Sequence, residues 1–470
     1  MLKVIIKKEI QETLISPKFV FTFILCSILV LLSVFMGITA FRAEQKEYSA
    51  ALALNKENMN LAKSDVTLAN MGIKVNRPPQ VLSSIVTGIS EASGRVATIT
   101  FVNDPSLIDS KYDSSPIYSV FGALDLAFIV RLVLSLFAIL YSYDLIVGEK
   151  ERGTLRLILS NSIPRDTLLL GKVIGGAISL LISLIIPLVM GVIILFIYPN
   201  IYISALDSLR IILICVLILL YLSVYFALGI FVSAYSSRSS SSLLILLFLW
   251  VAFVAIIPKV SILAATQLRP IRSVHEVTAQ KDAFLRQVQE EGIVRAKEWG
   301  IAHAPKTAQE EKDYAEAFKE FLGEHQKWLT SRIDEFNAAV DREYESQKQS
   351  QERVAISLAR ISPASALVFS AMSLARTGLD EQERFLAAVR RYKGIFTGWI
   401  NAQSQHTFKY DRGKGDRPQF DLSGMPQFIF EPESLSRSLA RALPDAGLMI
   451  VLTLGFFVGA YISFRKFDIR

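Results

Sequence analysis

Six stretches of the chain stay apolar for about twenty residues or more, and polar segments of very different lengths separate them. The stretches are 19–41, 121–146, 168–198, 209–234, 240–264 and 444–464. Because about 20 apolar residues in a helix cross the hydrocarbon core of a bilayer, each stretch predicts one transmembrane helix. The pattern therefore predicts a mainly α, polytopic membrane protein with six transmembrane helices.

Residues 1–18 are expected to form an amphipathic helix ahead of the first span. Lysines cover much of the surface of this helix, and one face is apolar, comprising Leu2, Ile5, Ile6, Ile10 and Leu14. Such a pattern is typical of a helix that lies in the membrane interface. The alternative is a plain extension of the first span, but Ser16-Pro17 is expected to separate the two.

Two long segments, 42–120 and 265–443, contain no stretch that could span a membrane. The first becomes rich in β-branched residues and glycine-containing turns after Pro79, which predicts a small α/β module. The second is rich in Glu, Lys, Gln and Ala with scattered aromatic residues, which predicts a large and mostly helical domain. Within it, Ser362 before a proline predicts a helix start, and Gly378 predicts the C-cap of that helix.

The formal net charge of +7 resides in the short polar segments. Lys and Arg exceed the acids in 1–18, 147–167 and 465–470, whereas the two long segments are nearly balanced. Short loops rich in Lys and Arg stay in the cytoplasm. We therefore expect a multi-pass protein of the inner (plasma) membrane, with both termini and the 147–167 loop cytoplasmic and the long segments extracytoplasmic. This explanation of the charge leaves no reason to predict a nucleic-acid partner.

The sequence contains no chemistry typical of an enzyme. It has no G-x-x-x-x-G-K-[ST] motif, so ATP hydrolysis by a P-loop is not expected. The four histidines lack metal-ligand spacing, and both cysteines lie in apolar stretches, which excludes a disulfide framework. We predict no catalytic, metal-binding or cofactor-binding residue in this chain.

Asp125 and Arg131 are two charges within the second apolar stretch. A charge at this depth is costly unless it is paired or hydrated. One interpretation is a polar patch that lines a substrate path. The other is structural, with Asp125 near the headgroups and Arg131 pairing with it or reaching towards water.

The loop 147–167 lies between the second and third spans and carries the most informative motif of the chain. A charged helix held at both ends by membrane helices can transmit force but has little room for a catalytic centre. Its distinctive residues are Glu149, Glu151, Arg152, Gly153, Thr154, Leu155, Pro164 and Arg165, followed by Gly171-Lys172 at the entry to the third span.

This motif resembles the signature of type-2 ABC transporter permeases, which have the type V ABC exporter fold. The outer segments resemble a subgroup with large extracytoplasmic domains. The residues that carry this resemblance are Arg77-Pro78-Pro79, Leu82-Ser83, Gly88, Ile361-Ser362-Pro363-Ala364 and Leu374-Ala375-Arg376-Thr377-Gly378. The resemblance implies that 147–167 carries a coupling helix, and that the loop residues named above dock on a separate ABC ATPase. It also implies a second permease subunit, identical or different, and ATP with Mg²⁺ bound by the partner.

The sequence thus predicts the permease subunit of an ABC exporter, which couples ATP hydrolysis by a separate subunit to export or extraction of a substrate. One alternative is a mechanotransmission subunit that acts on extracytoplasmic partners without transport. Another is a sensor or scaffold that works without an ATPase. Transport requires a polar path and ATPase activity stimulated by substrate, whereas a sensor is indifferent to changes at Glu149 and Glu151.

Overall fold

The computed structural model describes residues 1–61, 68, 72–90, 94–100, 105–108, 125–160, 164–199, 201–304, 310–410, 422 and 424–466. Helices dominate these residues, and short strands form a single small sheet. The helices before the fourth span are α1 (Leu2–Ile15), α2 (Pro17–Leu61), α3 (Leu126–Ile129, continuing through a π-helical Val130–Leu134 to Ser135–Ser142), α4 (Val147–Glu151), α5 (Thr154–Ser160) and α6 (Arg165–Ile197).

The remaining helices include the last three spans and the long polar helices. They are α7 (Ala205–Tyr235), α8 (Ser239–Val251, π-helical Ala252–Ile256 and Ile257–Leu268), α9 (Val274–Ala302), α10 (Glu310–Ala359), α11 (Pro363–Ala375), α12 (Leu379–Tyr410) and α13 (Leu435–Arg465). Six helices of the described chain are long and apolar enough to cross a membrane: α2, α3 with α4, α6, α7, α8 and α13. The predicted mainly α fold with six spans is confirmed.

The break between α1 and α2 lies at the predicted position. Ser16 has an extended conformation (φ −69°, ψ 144°), and Pro17 is the first residue of α2. The 45 residues of α2 correspond to a length of about 68 Å at 1.5 Å per residue. Because a hydrocarbon core is about 30 Å thick, the polar half of α2 extends well beyond it.

Helix α7 is the centre of the membrane bundle, where it contacts α13, α3, α11 and α8. Ser204 and Asp207 form a capping box that fixes its start. Near its end, Gly229 lies so close to α3 that an added Cβ would be 1.8 Å from Ser142 Oγ. The absence of a side chain at Gly229 therefore allows the two helices to approach each other.

A small sheet packs on α12 around a common core. We call the sheet and α12 together the outer module, because the sequence predicts that they are extracytoplasmic. Its strands β1 (Ile73–Asn76), β2 (Val96–Ile99) and β3 (Ser106–Ile108) are antiparallel in the order β1-β2-β3. Ile73 and Val75 of β1 are buried against a row of α12 residues, namely Phe385, Val389, Tyr392, Phe396 and Ile400. Strand β2 lies in the β-branched stretch after Pro79 that predicted strands, and β3 follows it, whereas β1 precedes Pro79, where no strand was predicted.

Helix α11 ends differently from the sequence prediction. Gly378 was expected to be its C-cap, but the helix ends at Ala375 and Arg376 adopts the left-handed conformation, with φ 60° and ψ 37°. The Arg376 side chain donates from Nη2 to Asp207 Oδ1 at 2.7 Å. This ion pair with α7 stabilises a conformation that a non-glycine residue rarely adopts. The start of α11 is as predicted, with Ser362 accepting a hydrogen bond from Ala364 N.

The chain divides into two compact units, Met1–Lys259 with Ala359–Arg470 and Val260–Leu358. In the second unit α9 and α10 are joined by stacking of Phe284 on Phe336, with ring centroids 3.8 Å apart. An ion pair joins Lys281 Nζ to Asp341 Oδ1 at 2.6 Å. The unit is therefore a pair of long polar helices held by aromatic and charged contacts.

Gly88 provides a test of the junction between the outer module and α11. Its φ is +56°, and an added Cβ would lie 2.5 Å from the carbonyl oxygen of Thr377. We expect Gly88→Ala to lower the free energy of unfolding by about 1–3 kcal/mol because it adds backbone strain and a steric clash. Gly447→Ala in α13 is the matched control, since no atom lies within 4 Å of the position of its Cβ. Thermal unfolding in detergent measures both, and equal midpoints would contradict this account of the junction.

Candidate functional site

The short helices α4 and α5 form the connection between the second and third spans. Arg152 ends α4, and Gly153 takes φ +73°, with no atom within 4 Å of the position that a Cβ would occupy. The chain then turns into α5, where Leu155 is buried and fixes one face of the helix. Pro164 is the N-cap residue of α6, and Arg165 is its first residue. The motif is thus a pair of helical turns separated by a glycine.

Glu149 is buried in this connection. Its Oε1 forms an ion pair with Lys172 Nζ at 2.8 Å, and its Oε2 accepts a hydrogen bond from Thr154 Oγ1 at 3.0 Å. Lys172 belongs to α6 and Thr154 is the first residue of α5. Glu149 therefore joins the second span, α5 and the third span through its two carboxylate oxygens.

Lys172 also binds the N-terminal helix. Its Nζ lies 3.0 Å from Glu9 Oε2, and the side chain of Lys172 is only 6% exposed. Burial raises the pKa of Glu9, and the lysine opposes this shift. The lysine is thus a buried bridge between two carboxylates from different helices, which we call the Lys172 bridge (Glu9, Lys172 and Glu149).

Glycines on α6 allow α1 to lie against it. A Cβ at Gly171 would be 2.6 Å from Ile5 Cγ2, and a Cβ at Gly175 would be 2.6 Å from Glu9 Cβ. Any larger side chain at these two positions would push α1 away from α6. The Lys172 bridge therefore depends on small residues one helical turn apart.

Backbone contacts attach the same region to α7. Ser233 Oγ accepts hydrogen bonds from the N–H groups of Ile146 and Val147, each at 3.1 Å. Lys150 donates to the carbonyl oxygen of Ala234 at the end of α7. The start of α4 is thus held to α7 as well as to α6 and α1.

The remaining motif residues lie at the surface. Glu151 is exposed and accepts a hydrogen bond from Ser239 Oγ at 2.5 Å, which connects α4 to α8. Arg152 and Thr154 are exposed, and Arg165 donates to the carbonyl oxygen of Arg465 at 2.7 Å. The motif therefore has a buried part with Glu149 and Leu155, and an exposed part that includes Glu151 and Arg152.

Asp125 and Arg131 lie near the start of α3. Asp125 caps the helix, with Oδ1 accepting from Phe128 N at 2.8 Å and Oδ2 accepting from Thr87 N at 2.9 Å. The guanidinium of Arg131 lies over the Phe128 ring, 5.4 Å from its centroid. Because both oxygens of Asp125 bind backbone groups, the geometry favours the structural interpretation over the polar path.

A second cluster of buried charges lies where α11 leads into α12. The Glu381 carboxylate is only 2% exposed, and its nearest cation is Arg384, with Nε 3.8 Å from Oε2. Burial raises the pKa of Glu381, partly opposed by Arg384, Arg376 and Arg77. Burial also lowers the pKa of Arg77 to about 10. The cluster therefore joins the Arg77 segment to the residues after α11, two stretches that the sequence resemblance had singled out separately.

Sequence reasoning missed two central residues. Glu9 was not considered, and Lys172 was noted only as part of the entry to the third span. The available signal was that Lys172 is a charge at the start of an apolar helix, where it needs a partner. Among the residues that the structure describes, His, Cys, Asp and Glu form no group of three or more that could hold a metal ion.

The six spanning helices define a multi-pass membrane protein. A family model described as "ABC-2 family transporter protein" matches residues 3–469. The chain therefore belongs to the ABC-2 transporter family, whose members are membrane permease components of ABC transporters.

A relative from Stutzerimonas stutzeri is described as "Probable ABC transporter permease protein NosY", and it is 44% identical to this chain over 55 residues. The match covers 12% of this chain and 20% of that relative's length.

The Lys172 bridge predicts a large effect of removing its cation. Lys172→Met leaves two buried carboxylates without a counter-charge, and breaking a buried pair in this way costs about 3–5 kcal/mol. We expect a much lower thermal midpoint, and we expect recovery in the triple variant Lys172→Met with Glu9→Gln and Glu149→Gln.

Lys8→Met is the matched control, because Lys8 forms an ion pair with Glu12 in which the two side chains are 58% and 59% exposed. Exposed pairs contribute about 0–1 kcal/mol. If Lys172→Met and Lys8→Met shift the midpoint equally, the bridge does not hold the helices together.

Glu381→Gln should stabilise the protein at alkaline pH. A carboxyl whose folded-state pKa is raised loses stability as the pH rises from its ordinary value of 4.5 through the folded-state pKa. Because glutamine does not ionise, the variant should have the higher thermal midpoint at pH 8, and this advantage should disappear near pH 4.5. An advantage that does not change with pH would contradict the assignment.

Proposed function

We propose that this chain is the permease subunit of an ABC exporter, and that a separate ABC ATPase docks on the exposed part of the 147–167 motif. ATP binding and hydrolysis in the ATPase move α4 and α5, and the permease converts this movement into export or extraction of a substrate. Family membership supports the permease role, and the geometry around Lys172 supports the coupling role.

The observation that carries the proposal is the attachment of α5. Its first residue binds Glu149, which binds Lys172 of α6, which in turn binds Glu9 of α1. A force on α5 therefore reaches three helices through buried, charged contacts. Charge-assisted hydrogen bonds are stronger than neutral ones, so α5, α6 and α1 respond together.

The outer face of α5 has the chemistry of a docking surface. Leu157 is 67% exposed, and the exposed Arg156 lies beside it. An apolar side chain next to a cation is suited to the centre of a protein–protein interface, where Arg is enriched. We therefore assign direct ATPase contact to Glu151, Arg152, Arg156 and Leu157. In this proposal Glu149 and Leu155, which the sequence resemblance places among the docking residues, position α5 through their buried contacts.

The substrate path is proposed to lie between two permease subunits. A cavity inside the bundle, bounded by residues such as Val30, Leu188 and Ile214, is apolar and has a volume of about 10 Å³. That volume is at the lower limit for one water molecule, so it cannot conduct a substrate. By contrast, α8 and α13 expose large apolar side chains, among them Phe248 and Val451. A second copy or a related permease would cover part of these faces.

Mechanotransmission is the second candidate function, and the unit Val260–Leu358 favours it. Helices α9 and α10 contain 29 and 50 residues, which correspond to about 44 Å and 75 Å. Helices of this length suit a lever that acts on an extracytoplasmic partner. ATPase activity that changes with an added outer protein, and not with a substrate, would favour this candidate over transport.

Leu157→Asp tests ATPase docking. The substitution places a charge on the exposed face of α5, and we expect about a hundredfold weaker association because one disrupted hot spot costs about 2–4 kcal/mol. The measurement is purification of the tagged chain from native membranes after cross-linking, with mass spectrometry to quantify any co-purified protein that carries a P-loop.

Ile429→Asp is the control, because Ile429 is 76% exposed but lies in the segment between α12 and α13. This variant should recover as much ATPase as the unchanged protein. If the unchanged protein recovers no P-loop protein, the exporter proposal fails. Equal recovery with Leu157→Asp would move the docking site away from α5.

A further inference from the structure

The outer module contains a cavity that the coupling mechanism does not use. It has a volume of about 510 Å³, within the range of about 300–1,000 Å³ typical of ligand sites. All four residues of β1 line it, together with the polar half of α2 on one side and Tyr392 with Leu422 and residues 425–428 on the other. The cavity therefore runs alongside β1.

Strand β1 is an edge strand of the described sheet, because β2 is its only neighbour there. The N–H of Arg77 donates to the carbonyl of Arg95, which continues the β1–β2 register. Antiparallel pairs alternate in hydrogen bonding, so Ile73 and Val75 bond to β2 whereas the backbone groups of Lys74 and Asn76 point to the other edge. Within the described chain one side chain reaches that edge, where Asn55 Nδ2 donates to Lys74 O at 3.1 Å.

Asn76 adds an unsatisfied polar group to the same wall. It is 6% exposed, and in the part of the chain that the structure describes neither its Oδ1 nor its Nδ2 has a hydrogen-bond partner. A buried carboxamide without partners costs free energy. A ligand with an adjacent donor and acceptor would satisfy both atoms, and a peptide group has this pair.

The other residues that line the cavity indicate which side chain and which charge the ligand carries. Its apolar lining includes Leu52, Met59 and Phe428, which suit an aliphatic or aromatic side chain. Lys56 and Lys74 also line it, and both are exposed. Their charges favour a negatively charged ligand, and among the described residues that line the cavity none is a carboxylate that would neutralise them.

From these observations we propose that the outer module binds an extended peptide segment of another protein, which pairs with the edge of β1 at Asn76, beside the contact of Asn55 with Lys74. An apolar side chain of the peptide fills the cavity, a peptide group binds Asn76, and an acidic residue or a C-terminal carboxylate faces Lys56 and Lys74. Strand addition at a sheet edge is a common mode of peptide recognition. The inference goes beyond permease coupling and needs no ATPase.

The experiment measures peptide binding by the full-length protein in nanodiscs without an ATPase. The probes are fluorescent hexapeptides that carry Leu, Phe, Met or Val beside Glu in a Thr background, with Lys-containing versions of the same peptides as charge controls. We expect the acidic peptides to bind in a saturable way and the Lys-containing peptides to bind about tenfold more weakly.

Two variants separate binding from folding. Asn76→Leu should weaken binding about tenfold, which corresponds to loss of about 1.4 kcal/mol, while its thermal midpoint stays equal or rises because an unsatisfied amide is removed. Lys56→Glu with Lys74→Glu should abolish the preference for acidic peptides. Lys46→Glu, at an exposed position of α2 outside the cavity lining, is the matched control and should bind as the unchanged protein does.

Several results would overturn the proposal. These are no saturable binding of any peptide, binding that Asn76→Leu leaves unchanged, or equal binding of acidic and Lys-containing peptides. Displacement of the bound peptide by phosphatidylglycerol, combined with tighter phosphatidylglycerol binding, would assign the cavity to an anionic lipid instead. Failure of ATPase docking on α5 leaves the peptide result unaffected, so the two proposals can fail separately.

Discussion

A single buried cation joins the helices at the end of the bundle where α1 packs on α6. Lys172 lies between Glu9 of α1 and Glu149 of α4, at 3.0 Å and 2.8 Å from their carboxylate oxygens. Two carboxylates so close together would repel each other without it, and neither is exposed enough for water to screen the repulsion. The placement of α1 against the glycines of α6, and of Thr154 at the start of α5, therefore depends on this one charge. In the proposed mechanism it is also the route by which movement of α5 reaches the spans.

The opposite end of α7 shows the same principle with different residues. Arg210 of α7 is buried and donates to the carbonyl oxygens of Leu374 and Glu433, both at 2.8 Å, and to Ser438 Oγ at 2.9 Å. Arg376 pairs with Asp207 at the start of α7. Arg210 and Arg376 thus connect the C-terminal end of α11 and the start of α13 to α7, the helix that α3 and α4 also contact. Helix α7 is therefore connected by hydrogen bonds to α4 near its C-terminal end, and to the residues around the end of α11 and the start of α13 near its N-terminal end.

The features that sequence predicted well are those that depend on one stretch of chain. The spans follow from hydrocarbon thickness, the break at Ser16-Pro17 from proline geometry, and the start of α11 from Ser362 and Pro363. The features that sequence missed depend on distant partners. The preference for glycine after helix C-termini predicted Gly378 as the C-cap of α11. The helix instead ends at Ala375, where Arg376 takes the left-handed conformation and pairs with Asp207. The motif also gave no indication that Glu149 is buried, because Glu9 and Lys172 are far from it in the sequence.

The joint movement of α1 and α5 is measured most directly by pulsed electron paramagnetic resonance. Both native cysteines, Cys26 and Cys215, are replaced by serine. Spin labels at Lys8→Cys and Ser160→Cys, in labelled chains diluted with unlabelled ones, report the distance between α1 and α5 within one chain, and undiluted chains with Ser160→Cys alone report the distance between two chains. Upon trapping of the ATPase complex with ATP, we expect an unchanged distance between the two labels of one chain in the diluted sample, and a changed distance between the Ser160→Cys labels of two chains in the undiluted one. A shift of α5 relative to α1 within one chain would contradict the central role of Lys172.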